Sequence, residues 1–236
     1  MPSALTPAEL LERQRTDQKM VGALDTSSCP ISITGHRSAD DARTGRNPVA
    51  FDDRNPASHF RVIYTFETLI GPGKRHRPTI VHVAPLATGN YPAKPPVAWV
   101  ISKHVPWTPH FTANAAICHG EHSWIAYRTQ LVDYIIHLGK LLNFDEPPPA
   151  PGYHGYNGQA IAYWRDTMGL KPLDPSLSFP RIHAEDVVGA AGRFKAAAVT
   201  SPATAGRFAP AQPTGSRFRP APARPAGRFV PAESRS

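Results

Sequence analysis

Apolar residues are sparse at the start of the chain and then change period twice. Thr6-Pro7-Ala8-Glu9 reads as a helix start: Thr can cap, Pro suits the first helical position, and Glu9 can close a capping box. Leu10, Leu11, Met20 and Val21 then give a mostly polar helix with a narrow apolar edge, ending near Gly22. The next segments alternate or are β-branched, at residues 30–34, 60–70, 79–85 and 97–102, with Gly, Pro and Asn-rich turns between them. Four strands without intervening helices predict an antiparallel meander, and Gly71-Pro72-Gly73 ends the second of them. Between residues 124 and 142 the period lengthens. Tyr127, Leu131, Tyr134, Ile135, Leu138, Leu141 and Leu142 share one helical face, and Asn143 stops the run before Pro147-Pro148-Pro149. A last helix is expected from about residue 156 to 168, packing through Ala160, Ile161, Tyr163 and Trp164. Helix, four strands, loop, helix, helix is an α+β order.

Composition changes the picture at the C-terminal end. The 236 residues include 27 prolines and carry a net charge of +8. Residues 187–236 hold eight basic side chains against Glu233 alone, a net +7, which leaves +1 on the preceding 186. The body is nearly neutral and the tail is basic. That tail, rich in Ala, Pro, Gly, Arg and Ser, predicts disorder. Within it lie Gly192-Arg193-Phe194, Gly206-Arg207-Phe208, Ser216-Arg217-Phe218 and Gly227-Arg228-Phe229, too short and Pro-interrupted for solenoid repeats. Either the tail merely solubilises, or each Arg-Phe pair is a weak linear motif that gains avidity by repetition. The chain thus divides into a folded domain, 1–186, and a tail, 187–236. No stretch reads as a signal peptide or a membrane span, so a soluble protein with no membrane partner is expected.

Two cysteines cannot staple a disulfide framework, and a reducing, cytoplasmic compartment fits best. Cys118 lies in Thr108-Pro109-His110-Phe111-Thr112-Ala113-Asn114-Ala115-Ala116-Ile117-Cys118. In an extended segment Ile117 and Cys118 point to opposite faces, so an inward Ile117 puts the thiol outward. Cys29 is the better candidate for a structural thiol. His110, Cys118, His119 and His122 supply four possible zinc ligands within thirteen residues. Consecutive Cys118 and His119 diverge, however, and no paired CxxC or HxxxH spacing is present, so neither metal nor cofactor is expected.

Three features together resemble the ubiquitin-conjugating (E2) enzyme family. Tyr91-Pro92-x-x-Pro95-Pro96 is similar to that family's YPxxPP turn between its third and fourth strands. Thr108-Pro109-His110 stands where the family has His-Pro-Asn, with the same seven residues before the cysteine, which puts Ile117-Cys118 on the active-site Ile-Cys. A tryptophan and a long apolar helix, here Trp124 onward, follow as they do there. The resemblance spans roughly residues 5–170. It is nearest in character to divergent prokaryotic E2-like proteins, encoded beside E1-like activating enzymes, ubiquitin-like proteins and JAB-type peptidases, some in antiviral defence operons.

The resemblance implies a UBC-like fold and an enzyme that takes a ubiquitin-like protein from an E1-like partner as a thioester on Cys118, then passes it to an amine of a target protein. It implies roles for other residues too. His110 replaces an asparagine that steadies the loop or the oxyanion; an imidazole N–H can do the same, the ring can act as a base, or it can simply bond its own loop. Asp145, in Asp145-Glu146-Pro147, resembles an acidic gate that positions the incoming lysine. Asn114 lies where the modifier's tail would dock, and Arg13, Arg15, Lys19 and Lys94 are candidate E1 contacts, with a solvated helix face as the alternative. His119, Glu121 and His122 take no catalytic role in this reading. Two alternatives stay open: a noncatalytic E2-like module that binds a ubiquitin-like protein or an E1 partner, and an RNA-binding protein acting through the tail. The near-neutral body argues against nucleic acid as the main partner.

Overall fold

The computed structural model describes residues 5–24, 29–51, 55–118, 124–145 and 156–182. The expected tail and its Arg-Phe triplets lie outside these residues, as do His119, Glu121, His122 and Glu146.

Helix α1, Pro7–Gly22, starts as its sequence dictates: Thr6 N donates to Glu9 Oε2 at 2.8 Å, and Glu9 N donates back to Thr6 Oγ1 at 3.3 Å. Strand β1 spans Ile31–His36, short helix α2 Ala39–Thr44, and strand β2 His59–Tyr64. Then come β3 (Thr68–Gly71), β4 (Lys74–His76), β5 (Thr79–Ala84), β6 (Val97–Val100), α3 (Leu131–Leu142) and α4 (Gly158–Asp166). The main sheet is antiparallel throughout, in the order β1-β2-β5-β6, and β3-β4 forms a separate hairpin. The fold is α+β, with the expected meander interrupted by that hairpin.

Alternation decides which sheet face is covered. Ile31, Ile33, Phe60, Val62, Tyr64, Val81, Val83, Ala98 and Val100 are buried on one face. Helices α1 and α3 contribute Met20, Val21, Leu131, Ile135, Leu138 and Leu142 to the same core, and Tyr64 donates its hydroxyl proton to Ile135 O at 2.8 Å. The opposite face carries Thr34, His36, His59, Arg61, His82 and Trp99. There His36 bonds Thr34 Oγ1 at 2.9 Å and Arg46 O at 3.0 Å. Arg61 donates to Ala42 O and Arg43 O, which fastens the end of α2 to the sheet.

Several expected boundaries shift. The single strand read at 60–70 is two: the Thr65 N to Pro30 O bond at 3.0 Å extends the β1–β2 pairing, the chain then bends at Phe66 before β3, and the Gly-Pro-Gly stretch makes a hairpin turn with Gly73 at φ 68°. Helix α3 begins at Leu131 rather than near Trp124. Tyr127 sits in the left-handed region at φ 63°, Ile125 N donates to Thr129 Oγ1 at 2.7 Å, and the helix starts only where Gln130 N meets the Asp133 carboxylate at 3.2 Å. Helix α4 is likewise shorter, capped by Asn157 Oδ1, which accepts from Ala160 N at 3.1 Å. Helix α2 was not anticipated, although Ser38 three residues before Asp41 is a cap signature, and Ser38 Oγ accepts from Asp41 N at 3.1 Å.

Candidate active site

Residues 108–118 form a tight hairpin whose bonds follow from a single register. Phe111 and Ile117 oppose each other, Thr112 N donates to Ala116 O at 3.0 Å, and Cys118 N donates to His110 O at 2.8 Å. Thr112 builds the turn: its carbonyl accepts from Ala115 N at 3.0 Å and its hydroxyl from Ala116 N at 3.1 Å, with Ala115 left-handed at φ 63°. At the base, His110 N donates to the hydroxyl of fully buried Thr108 at 3.3 Å.

The inner pair is anchored. Phe111 is 1% exposed and Ile117 packs against the same core. Opposed residues of an antiparallel pair share a face, so His110 and Cys118 stand opposite each other on the outward side, and both are half-buried. A further bridge, Trp99 to Ala116, joins the hairpin to the free edge of β6. Cys29, by contrast, is half-buried against the main core.

Tyr91, in the turn before β6, belongs to the same core cluster as Phe111. The Tyr91 hydroxyl donates to the Asp17 carboxylate, and Arg13 reaches Asp17 at 2.9 Å, Tyr91 at 3.3 Å and Thr129 O at 2.6 Å. Leu131 N donates to the other Asp17 oxygen at 3.2 Å, so one carboxylate ties α1 to the first residue of α3. Burial pulls the Arg13 guanidinium down, but the adjacent Asp17 and Tyr91 outweigh it and hold it above its ordinary pKa. Burial first, and Asp17 second, push the Tyr91 phenol well up. The chain returning from the cysteine is pinned to the same turn, with Trp124 Nε1 and Tyr127 N both donating to Pro92 O, at 3.0 and 3.2 Å.

The other residues singled out in the sequence scatter around this frame. Arg13 is 3% exposed, and its donors face Asp17, Tyr91 and Thr129 rather than solvent. Arg15 is half-buried and pairs with Glu12 at 3.5 Å, Lys19 is half-buried in the last turn of α1, and Lys94 is exposed beside the Tyr91 turn. Asn114 is exposed at the hairpin tip. Asp145 is exposed after α3 and opens onto a cleft of about 710 Å³ lined by His137, Lys140 and residues 177–182, not by the hairpin. Asp17 was missed by sequence reasoning. Its signal was its place four residues after Arg13 on a helix, which puts the two side chains together.

Chemically, the hairpin offers a sulfur and an imidazole on one outward face, held by a core-anchored backbone. Among the described residues no three or more His, Cys, Asp or Glu side chains are grouped to hold a metal ion, and no helix is long and apolar enough to cross a membrane. No protein-family model matches the chain, and no curated protein is significantly similar to it.

Proposed function

We propose that this protein is an E2-like conjugating enzyme that carries a ubiquitin-like protein as a thioester on Cys118. The observation that carries the reading is the outward, core-anchored register of the hairpin, which sets Cys118 opposite His110 while Phe111 and Ile117 hold the backbone. The order of α1, antiparallel sheet, YPxxPP turn, cysteine hairpin, α3 and α4 supports a UBC-like fold.

In the first step the Cys118 thiolate attacks the carbonyl of a modifier thioester on an E1-like enzyme; the new C–S bond forms and the E1 thiolate leaves. In the second, a target amine attacks the Cys118 thioester, the C–S bond breaks, and the amine nitrogen loses a proton. An N–H of the His110 imidazole would stabilise the oxyanion of that step, and one such donor is worth about 3 kcal/mol in acyl transfer. The part given to Asp145 rests on the resemblance alone, since its carboxylate opens onto the α3 cleft. Of the proposed E1 contacts, Arg15, Lys19 and Lys94 reach solvent, whereas Arg13 serves the interior. Work in a prokaryotic conjugation operon, including antiviral defence, belongs to the same proposal.

The test is a charging reaction with an E1-like enzyme, ATP and a ubiquitin-like protein. Wild type should give a reductant-sensitive adduct, Cys118→Ser a stable ester or none, and His110→Ala should slow discharge to amines more than charging. A modifier that binds without forming any adduct would move the assignment to a noncatalytic binding module.

A further inference from the structure

The outward face that carries Cys118 also carries an exposed tryptophan. Trp99 is 40% exposed, while its strand neighbours Ala98 and Val100 are each 8% exposed against the core. It sits opposite Ala116 in the bridge that joins β6 to the hairpin, and Cys118 lies two residues beyond Ala116. Residues two apart on an extended strand share a face, which makes Trp99 and Cys118 diagonal cross-strand neighbours, about 7–8 Å apart and within an indole's reach. The ring is supported from the sheet side. His82 stacks on it with centroids 5.3 Å apart and planes at 32°, and His82 in turn meets His59 through ring nitrogens 3.1 Å apart. Ala116, between them on the hairpin strand, is small and exposed.

We infer that Trp99 is the surface on which the C-terminal segment of the acyl donor lies as its carbonyl reaches Cys118, and that it sets a preference for peptide-ended over small acyl donors. This rests on the thioester reading above. A held aromatic beside a nucleophile offers apolar area at little conformational cost, and an extended peptide rising about 3.3 Å per residue covers the separation with two or three residues. The transfer involves no oxidant: the Cys118 thiolate displaces the donor's thiolate, and the acyl group moves from one sulfur to the other.

The probes are a hexapeptide benzyl thioester and acetyl benzyl thioester, each with purified full-length protein, read as acylation of Cys118 by intact mass with Cys118→Ala as blank. Wild type should react faster with the hexapeptide. Trp99→Ala should shrink the ratio of hexapeptide to acetyl kcat/KM by about tenfold, the equivalent of about 1.4 kcal/mol, mainly through KM, and Trp99→Phe should restore part of it. An unchanged ratio in Trp99→Ala, with both rates equal to wild type or falling together, would overturn the inference. Acylation of wild-type Cys118 by neither probe would instead overturn the thioester chemistry, and the role of Trp99 with it.

Discussion

Two polar clusters in this protein are built from similar means and left in opposite states. Arg13, Asp17 and Tyr91 meet across α1 and the 91–96 turn, and all three are at most 5% exposed, with their charges and hydroxyl turned onto one another. His110 and Cys118 meet across a hairpin, and both remain partly open to solvent. The first cluster joins α1, the turn and the start of α3, and its polar groups are spent on one another and on the Thr129 and Leu131 backbone. The second is held by backbone bonds, the hydroxyls of Thr108 and Thr112 and an apolar inner pair, and both of its side chains are half-buried. The charged group is thus a structural joint, whereas the half-buried thiol on an anchored backbone is the group on which the proposed function rests.

The comparison breaks most visibly by removing one partner of the closed cluster. Asp17→Ala strands a buried guanidinium and two backbone-linked elements, and should lower unfolding free energy by about 3 kcal/mol or more in urea titration. Cys118→Ala should change the same titration by less than about 1 kcal/mol, because a half-buried sulfur fills little core. Phe111→Ala, which empties the anchor of the open cluster, should cost about 3 kcal/mol and loosen the register that sets Cys118 opposite His110, read as faster amide exchange at Cys118 N.

Smaller effects sharpen the contrast. Ala115 holds φ 63° without a glycine, so Ala115→Gly should stabilise the protein by about 1 kcal/mol, measured as a higher urea midpoint. A pH-dependent effect lies on the outer sheet face. Burial, with His59, His36 and Arg43 nearby, lowers the His82 pKa from 6.5 to about 4. The unfolded chain therefore takes up a proton before the folded one does. Stability from this site is complete above about 6.5 and is lost as pH falls toward about 4, and His82→Gln should flatten that part of the Tm-against-pH curve.

The sequence made the covered face legible wherever burial enforces a period. The alternation of β1, β2, β5 and β6 and the apolar face from Leu131 to Leu142 appear in the structure, although the helix read from Trp124 starts later and the strand read at 60–70 is split. Thr6 and Glu9 likewise marked the first helix to the residue. Boundaries set by local backbone conformation were not legible: the bend at Phe66, the left-handed Tyr127 and the hairpin at Gly73 each depend on a conformation that periodicity does not encode. At the site, the inward Ile117 next to an outward Cys118 could be read from an extended segment, but the direction of Arg13 could not. A helix shows which residues share a face, whereas which neighbour covers that face is decided by Tyr91, 78 residues later in the chain. Trp99 carried no signal either, since an aromatic in a strand usually points inward, and only the register of β6 turns it out.

The most direct measurement is peptide mapping by mass spectrometry of the charged protein, which holds only two cysteines, Cys29 and Cys118. The account predicts the modifier's remnant on the Cys118 peptide alone, released by reductant. A remnant on Cys29 or on a lysine, or an unmodified Cys118 peptide under conditions that charge the E1-like partner, would contradict it.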